Sequence, residues 1–314
     1  MGDAAGIGPE VVVKALTAES ISSKCRCVII GDAAVLGETS RSLNCDIKSK
    51  DIEIFDLKNL PDRFDIGVDS PVTGRASAEY IEAAVRLWQE RKIDAICTAP
   101  ISKKALAMAG YDFPGHTELL ASLTNAKKFA MSFFGGDLRV VLHSTHLSLR
   151  EAIERVKKDS LIDLIEFSAG ELGKLLGRTV RLAVAGLNPH ASEGGMFGFE
   201  ELREVKPAVD HCRSELNIDV SGPYSPDTIF LRGFNGEFDA VIALYHDQAT
   251  IAVKSLAFGS AVNVTLGLPL VRTSVDHGTA YDIAGQWIAD ESSMIAAIKL
   301  AAELVSSSRG VAAV

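Results

Sequence analysis

Short apolar runs alternate with segments of helical periodicity along most of the chain. Runs bounded by small or polar residues predict strands at 27–32, 51–57, 93–99 and 129–135, and within 138–146, 180–190 and 238–248. Helical spacing predicts helices at 75–91, 101–110, 116–123, 159–177, 199–216 and 292–305. The segment SLRE (148–151) predicts a capping box at the start of a helix. Gly177 suits the end of the helix before it, and Pro207 is expected to kink the helix in which it lies. This alternation is typical of an α/β fold with largely parallel strands.

The first residues, GDAAGIGPE (2–10), predict a glycine-rich loop that enters a helix, with Pro9 suited to the first helical turn. Loops of this kind usually follow a strand, but here only Met1 precedes the loop. We therefore expect the protein to begin upstream of Met1. The loop does not match GxGxxG, so it is weak support for a dinucleotide-binding fingerprint.

Composition narrows the class of protein. The chain has 314 residues, 47% of them hydrophobic, which is enough for one large domain or two ordinary ones. A formal net charge of −9 argues against a nucleic-acid surface. The sequence has no apolar run long enough to span a bilayer and no signal-peptide pattern. Five scattered cysteines indicate reduced thiols. We therefore expect a soluble cytoplasmic protein without a membrane or nucleic-acid partner.

Three of the apolar runs end in a histidine set among small polar residues: LRVVLHSTH (138–146), VRLAVAGLNPH (180–190) and FDAVIALYHDQ (238–248). Because the carboxyl ends of parallel strands share one edge of a sheet, His146, His190 and His246 are expected to converge there. Three neutral imidazoles that leave open positions make a catalytic divalent-metal site, and nitrogen ligands favour zinc or cobalt over calcium. Asp247 could orient the ring of His246. A single histidine after a strand is more often structural, and His143 is interpreted in that way.

A second pattern is typical of anion binding. No GxxxxGK[ST] segment is present, so the chain is not a P-loop NTPase. Lys103 opens a helix, and Lys254 and Arg272 lie in an otherwise apolar C-terminal third, around Asn263. Each cation alone is better explained as part of a solvated face. Arg272 differs because it lies between an apolar turn and a loop of small and polar residues, which suits an anion clamp.

Two further clusters have open interpretations. His116 and Thr117 stand at a predicted helix start, where both could donate to a substrate oxygen, although helix capping by Thr117 explains the pattern equally well. Asp276, His277 and Asp282 flank a glycine-containing turn where a nucleotide ribose could bind. Composition alone does not decide either case.

Seven segments, in order, resemble one family. From residue 1 to near its C-terminus the chain is similar to the 4-hydroxythreonine-4-phosphate dehydrogenase family of pyridoxal phosphate biosynthesis. The matching segments are GDAAGIGPE, GHTELLA, STHLSLREA, LNPHASEGG, YHDQATIAVK, VNVTLGLP and VRTSVDHGTA. The resemblance implies a divalent cation (Zn, Co or Mg) that is shared across a homodimer interface and held by His146, His190 and His246. It also implies substrate binding by His116, Thr117, Lys254, Asn263 and Arg272.

The resemblance also implies a fold and a cofactor. The fold would be that of isocitrate and isopropylmalate dehydrogenases, two α/β domains with largely parallel sheets and an active-site cleft between them. We expect domains at 1–120 plus 270–314 and at 121–269, the second carrying most metal ligands and the dimer interface. HGTAYDIAG resembles the adenosine-binding turn of those enzymes, which implies cofactor binding by Asp276, His277 and Asp282. Asp282 would hold a ribose hydroxyl of NAD and repel the 2′-phosphate of NADP.

The implied activity is NAD-dependent, metal-dependent oxidation of 4-hydroxy-L-threonine 4-phosphate at C3, with decarboxylation to 3-amino-2-oxopropyl phosphate. Asp247, Lys103 or a water would accept the hydroxyl proton. Ala4 replaces a frequent proline of the family, and GHTELLA and HLSLREA are closer to a branch acting on D-threonate or D-erythronate 4-phosphate. That branch would give dihydroxyacetone phosphate and CO2. The substituent at C2 of the substrate, amine or hydroxyl, is therefore left open.

Two interpretations from other classes fit the bare residues. In a metal-dependent hydrolase, three histidines would hold an ion that activates water. In a non-catalytic binding protein, the histidines would be structural caps. An NADH absorbance assay and a metal analysis distinguish these alternatives from a dehydrogenase.

Overall fold

The structure, a computed structural model, describes residues 1–22, 25–47, 52–257 and 259–311. Residue 51 of the predicted strand 51–57, and residues 23–24, 48–51, 258 and 312–314 of the predicted domains, lie outside the described residues. Contacts divide the chain into two compact units, Met1–Phe129 with Leu268–Val305 (unit 1) and Ala130–Gly267 with Ser306–Val314 (unit 2). The predicted domain boundary at 120/121 falls inside a helix of unit 1, His116–Thr124.

The elements alternate as the sequence pattern predicts. The strands of the described residues are β1 (Val28–Gly31), β2 (Glu53–Asp56), β3 (Ala95–Thr98), β4 (Ala130–Gly135), β5 (Leu138–Leu142), β6 (Leu182–Ala185), β7 (Val220–Tyr224), β8 (Ala240–Ala243), β9 (Val262–Leu266) and β10 (Val271–Ser274). The α-helices are α1 (Gly8–Thr17), α2 (Glu19–Ser22), α3 (Ala33–Ser42), α4 (Pro71–Gln89), α5 (Lys103–Met108), α6 (His116–Thr124), α7 (Leu149–Arg155), α8 (Lys158–Leu176), α9 (Lys206–Ser214), α10 (Pro226–Phe234), α11 (His246–Leu256) and α12 (Ser292–Val311).

Unit 1 contains two parallel strand pairs, β1 with β2 and β3 with β10. One face of α1 is apolar, and Val11, Val13 and Leu16 pack with Leu36 of α3 in a buried cluster. A second cluster packs α4 against α6 through Ile81 and Leu120. Apolar burial of this kind is the main stabilising term for both clusters.

Unit 2 contains a six-stranded sheet in the order β9-β4-β5-β8-β6-β7. β4 runs antiparallel to both β5 and β9, whereas β5, β8, β6 and β7 run parallel to one another. The α/β class with largely parallel strands is therefore confirmed. β6 and β8 are buried along their whole lengths, as expected for parallel strands covered on both faces.

Short sequence motifs correctly predicted the end of α8 and the start of α7. Gly177 ends α8 with φ 69°, a left-handed conformation that glycine adopts without strain. Ser148 and Glu151 form the predicted capping box at the start of α7. The single helix predicted at 199–216 is wrong in one respect: a π-helical turn, Glu201–Val205, precedes α9. Pro207 has no N–H to donate to the preceding turn, and the wider turn accommodates this loss.

The pattern did not predict β7, β9 or β10. β7 contains Gly222 and Pro223, which usually break strands. β9 and β10 carry Asn263 and Arg272 in otherwise apolar runs. Among the described residues, no helix is both long and apolar enough to cross a bilayer.

Candidate active site

Three neighbouring strands of unit 2 end at the same edge of the sheet. β8 lies between β5 and β6 and is parallel to both, with Leu142 opposite Ala243 and Val184 opposite Ile242. His143, predicted to be structural, continues the pairing through its backbone N–H, which donates to the Ala243 carbonyl at 2.8 Å. Its Nε2 lies 3.0 Å from Ser160 Oγ.

Two of the three predicted metal ligands come together at this edge. The ring centroids of His146 and His246 lie 5.8 Å apart. Asp247 Oδ1 lies 2.7 Å from His246 Nδ1. A carboxylate on Nδ1 places the proton on that nitrogen and leaves Nε2 as the lone-pair donor.

His190 lies on an unusual turn after β6. Residues His190, Ala191, Ser192 and Glu193 all have positive φ, between 45° and 71°, and Gly194 continues the left-handed path. Non-glycine residues in this region are strained, and such strain is concentrated at functional sites. His190 is exposed, and its ring lies 6.1 Å from that of Phe197 between centroids. Within the described residues, no group of three or more His, Cys, Asp and Glu side chains is placed to hold a metal ion.

A buried carboxylate holds the chain that leads into this turn. Glu201 is 1% exposed, and its Oε1 accepts from the backbone N–H groups of Leu187 at 2.8 Å and Asn188 at 2.6 Å. The Asn188 amide donates to Glu201 Oε2 and to Glu200 Oε2, each at 2.8 Å. Sequence reasoning missed Glu201 because it lies in a helix-like segment of ordinary charge.

Unit 2 also carries two of the predicted substrate ligands. Lys254 is exposed on α11, the helix that begins with His246. Asn263 lies within β9, opposite Phe133 of β4. Asn263 Oδ1 is shielded from solvent and has no hydrogen-bond partner among the described residues. A shielded polar atom of this kind indicates a place where a ligand donor fits.

Unit 1 brings together three more predicted residues. Arg272 is 4% exposed in β10, and its Nη2 donates to Thr98 Oγ1 at 2.9 Å. It lies in the short strand between the turn at 267–270 and the loop that follows Ser274, so its expected place between a turn and a loop is confirmed, although the strand itself was not predicted. Burial, together with the Arg272 charge, lowers the pKa of His116 well below its ordinary value. A Cβ on Gly115 would lie 3.6 Å from Lys103 Cε, so Lys103 is adjacent to the start of α6.

His116 and Thr117 lie at the N-terminus of α6. Gly115 occupies the N-cap position and supplies no side-chain cap. His116 and Thr117, both half-buried, are the first residues of the helix. Helix capping by Thr117, the alternative left open by the sequence, is therefore wrong, because the cap position belongs to Gly115.

The turn after β10 is held by the glycine-rich first loop. The backbone N–H of Ile7 donates to the Thr279 carbonyl at 3.0 Å, and a Cβ on Gly6 would approach that oxygen to 2.8 Å. The Tyr281 hydroxyl donates to Asp3 Oδ2 at 2.7 Å, and Asp3 is fully buried. Glycine is therefore needed at position 6 for close packing. Sequence reasoning did not assign a role to Asp3.

The three predicted cofactor residues lie along this turn. Asp276 is tied to Ser293, whose hydroxyl donates to Asp276 Oδ1 at 3.2 Å. His277 Nδ1 lies 3.1 Å from the Gly278 carbonyl, and its Nε2 is shielded without a hydrogen-bond partner in the described part of the chain. Asp282 is exposed. The turn thus offers one shielded ring nitrogen and one solvent-facing carboxylate.

The fold and these clusters define an α/β enzyme whose polar side chains gather at the ends of buried strands. The chain belongs to the PdxA family, because the model described as "Pyridoxal phosphate biosynthetic protein PdxA" matches residues 23–301. It is a dehydrogenase, as its relatives are named.

Similar proteins carry two different names. The chain is 43% identical over 318 residues to D-threonate 4-phosphate dehydrogenase of Cupriavidus necator, covering 97% of this chain and 95% of that one. It is 44% identical over 317 residues to 4-hydroxythreonine-4-phosphate dehydrogenase of Desulforapulum autotrophicum, covering 96% and 93%. The crystal structure of 4-hydroxythreonine-4-phosphate dehydrogenase from Klebsiella pneumoniae matches with TM-score 0.88 and 38% identity, over 97% of this chain and 98% of that one.

Proposed function

We propose that this protein catalyses NAD-dependent, divalent-metal-dependent oxidation of 4-hydroxy-L-threonine 4-phosphate at C3, with loss of CO2 to give 3-amino-2-oxopropyl phosphate. The observation that carries the proposal is the pair of strand-end imidazoles, His146 and His246, 5.8 Å apart between centroids. Family membership and the names of the relatives supply the dehydrogenase chemistry.

The donor set fits a divalent first-row ion. Neutral imidazole nitrogens suit zinc or cobalt, and the Asp247 carboxylate on His246 Nδ1 aims the other ring nitrogen outward. His146 and His246 would supply two ligands, and His190 would supply the third. Because no three-ligand group exists within the described part of one chain, a second copy would have to complete the site.

Exposed apolar side chains support a homodimer at this face. Each histidine is followed by large apolar residues that face solvent: Leu149 58%, Met196 72%, Phe197 44%, Phe199 52% and Ile251 66% exposed. Aromatic residues and methionine are enriched in protein–protein interfaces. A second copy packed here would exclude water from the site and bring its own strand-end histidines to it.

The substrate's anionic ends would be held by cationic and polar side chains. Arg272 is buried with Thr98, which fixes its guanidinium for a bidentate contact with carboxylate or phosphate. Lys254 would add a second positive charge, and Asn263 would accept from a substrate hydroxyl or amine at its shielded Oδ1. His116, kept neutral by the lowered pKa, can donate from one ring nitrogen and accept at the other. Thr117 would add a hydroxyl beside it.

The reaction needs a group that accepts the C3 hydroxyl proton. A bound metal would supply the Lewis acid that lowers the pKa of this hydroxyl. The candidates for the acceptor remain Lys103, next to Gly115, Asp247, 71% exposed beside His246, and a water molecule. The remaining residues orient C3 toward the cofactor, whose ribose Asp282 would hold. The 3-keto acid formed at C3 then loses CO2.

A second candidate substrate has specific support. D-threonate 4-phosphate, with a hydroxyl at C2 in place of the amine, is the substrate named for the relative from Cupriavidus necator. Its oxidation would give dihydroxyacetone phosphate and CO2, and D-erythronate 4-phosphate would give the same products. The earlier alternative of a metal-dependent hydrolase is not retained, because the relatives are dehydrogenases.

A side-by-side assay tests the proposal. The metal-loaded protein is given NAD and, in turn, 4-hydroxythreonine, threonate and erythronate 4-phosphates, while NADH and CO2 are measured. The proposal expects the highest kcat/KM with 4-hydroxythreonine 4-phosphate and equal amounts of NADH and CO2. A higher kcat/KM with threonate or erythronate phosphate would replace the substrate. No NADH from any of the three would refute the proposed activity.

A further inference from the structure

Three buried hydrogen bonds join the strand ends that carry the histidines. The Ser144 hydroxyl donates to the Leu244 carbonyl at 3.0 Å. The Leu244 N–H donates to Gln248 Oε1 at 2.7 Å, and Gln248 Nε2 donates to the Gly186 carbonyl at 2.7 Å. These bonds cross from the end of β5 to the end of β8 and on to the end of β6.

The geometry allows only one orientation of the Gln248 amide. The Leu244 N–H can only donate, and the Gly186 carbonyl can only accept, so Oε1 must face the first and Nε2 the second. Ser144 is 6%, Leu244 0% and Gln248 9% exposed. Water therefore has little access to replace any of these bonds.

We propose that this series, Ser144–Leu244–Gln248–Gly186 (the strand-end relay), sets the spacing of the three histidines and makes Ser144 and Gln248 positioning residues of the metal site. His146 follows Ser144 by two residues, His246 lies midway between Leu244 and Gln248, and His190 follows Gly186 by four. The inference rests on the proposed function, because it assigns the relay to the metal ligands of that site.

The Gln248 amide makes one bond with its oxygen, to the Leu244 N–H, and one with its nitrogen, to the Gly186 carbonyl. Substitutions can therefore remove one bond or both. Gln248→Glu keeps an acceptor for the Leu244 N–H but faces the Gly186 carbonyl with a carboxylate oxygen. Gln248→Met keeps the length of the side chain and loses both bonds. Ser144→Ala removes the hydroxyl, whereas Ser144→Thr restores it. Ser168→Ala is the matched control, since Ser168 is a fully buried serine of α8 whose Oγ has no hydrogen-bond partner among the described residues.

The experiment measures Zn²⁺ affinity by competition with a chelator, the visible absorption of the Co²⁺-loaded protein, and the melting temperature of the metal-free protein. Loss of residues that orient metal ligands typically weakens metal binding about 10–100-fold. We expect a weakening in this range, with a changed Co²⁺ spectrum, for Gln248→Glu, Gln248→Met and Ser144→Ala. Ser144→Thr and Ser168→Ala should keep wild-type affinity and spectrum.

The outcomes separate the relay from the proposed function. Wild-type metal affinity and spectrum in folded Gln248→Glu and Ser144→Ala proteins would overturn the relay alone. If the Gln248 variants do not fold, the comparison of Ser144→Ala with Ser144→Thr decides. A wild-type protein that binds no Zn²⁺ or Co²⁺ would overturn the metal site and the relay together. Metal binding without oxidation of any phosphorylated acid would overturn the substrate assignment and leave the relay intact.

Discussion

His146 and His246 lie with ring centroids 5.8 Å apart, although they follow different strands and are distant in sequence. Their proximity results from the parallel pairing of β5 with β8, which ends both strands at one edge. Each ring follows a buried strand that fixes its backbone, so the pair is held without a metal. Because the two rings are already positioned, a ligand that binds both would need little free energy to order them.

Replacement of His190 should abolish metal retention and turnover. Because its side chain is exposed, loss of the imidazole should change the free energy of unfolding by only about 0.5 kcal/mol. Both His190→Ala and His190→Asn remove the ligand. Asn also tolerates the left-handed backbone at φ 54°, so it separates ligand loss from backbone strain. Metal content per chain and NADH formation are the measurements; a variant with wild-type values for both would contradict the assignment.

Asp282→Asn should weaken the preference for NAD over NADP. The carboxylate is solvent-facing on the turn after β10, where its charge would repel a 2′-phosphate. We expect the ratio of kcat/KM for NAD to that for NADP to fall about tenfold, since loss of roughly 1.4 kcal/mol of repulsion corresponds to that factor. Asp62→Asn, at another exposed carboxylate of unit 1, serves as the control. An unchanged ratio in Asp282→Asn would remove Asp282 from the cofactor site.

Acid should destabilise the protein partly through His116. Burial and the nearby Arg272 lower the pKa of this histidine in the folded state, so the unfolded chain binds the proton more tightly. The free energy of unfolding must then fall as pH decreases below the unfolded pKa of about 6.5, by at most about 1.4 kcal/mol per pH unit for one group. His116→Gln should flatten this slope between pH 7 and 5.

Urea unfolding at several pH values measures the effect. Burial also lowers the pKa of His143, with a further contribution from Arg155, so His143→Gln should flatten the slope to a smaller extent. If the free energy of unfolding changes with pH equally in the wild type and in His116→Gln, the fold does not lower the pKa of His116.

Asp239→Asn should destabilise the protein without affecting metal binding. Burial opposes ionisation of Asp239, but hydrogen bonds from Arg178 at 2.7 Å and from the Arg181 backbone N–H at 2.7 Å hold its pKa well below the usual range. The Asp239 carboxylate is 5% exposed, whereas each of the two arginine side chains is about half exposed. We therefore expect the free energy of unfolding to fall by about 2 kcal/mol, less than for a fully buried pair.

Asp210→Asn is the matched control for this change. Asp210 pairs with Lys206 and Arg213, but it is 42% exposed, and exposed pairs contribute about 0–1 kcal/mol. Chemical denaturation at pH 7 compares the two variants. A loss for Asp239→Asn no larger than that for Asp210→Asn would contradict the role given to the buried carboxylate.

Several features could be predicted because they depend on neighbours in the chain. The alternation of buried runs with amphipathic segments predicted the α/β class, since period and burial are local properties. The capping box at Ser148 and the glycine at 177 marked helix ends for the same reason. The strand-end location of His146 and His246 was also predicted, because parallel strands share an edge.

Other features required the tertiary structure. The strand β10 was not predicted, because it contains the charged residue Arg272. Its pairing with β3 in the structure identifies it as a strand. The left-handed path of His190 follows a segment whose backbone N–H groups donate to the buried Glu201, a contact between positions 13 and 14 residues apart. Gln248 and Asp3 look ordinary in sequence, and only their buried partners reveal them. Sequence thus determined the α/β alternation, many of the elements and the sheet edge where His146 and His246 lie, whereas the contacts between distant segments decided which side chains meet. The physical reason is that hydrogen bonds across strand ends join residues with no periodic relationship along the chain.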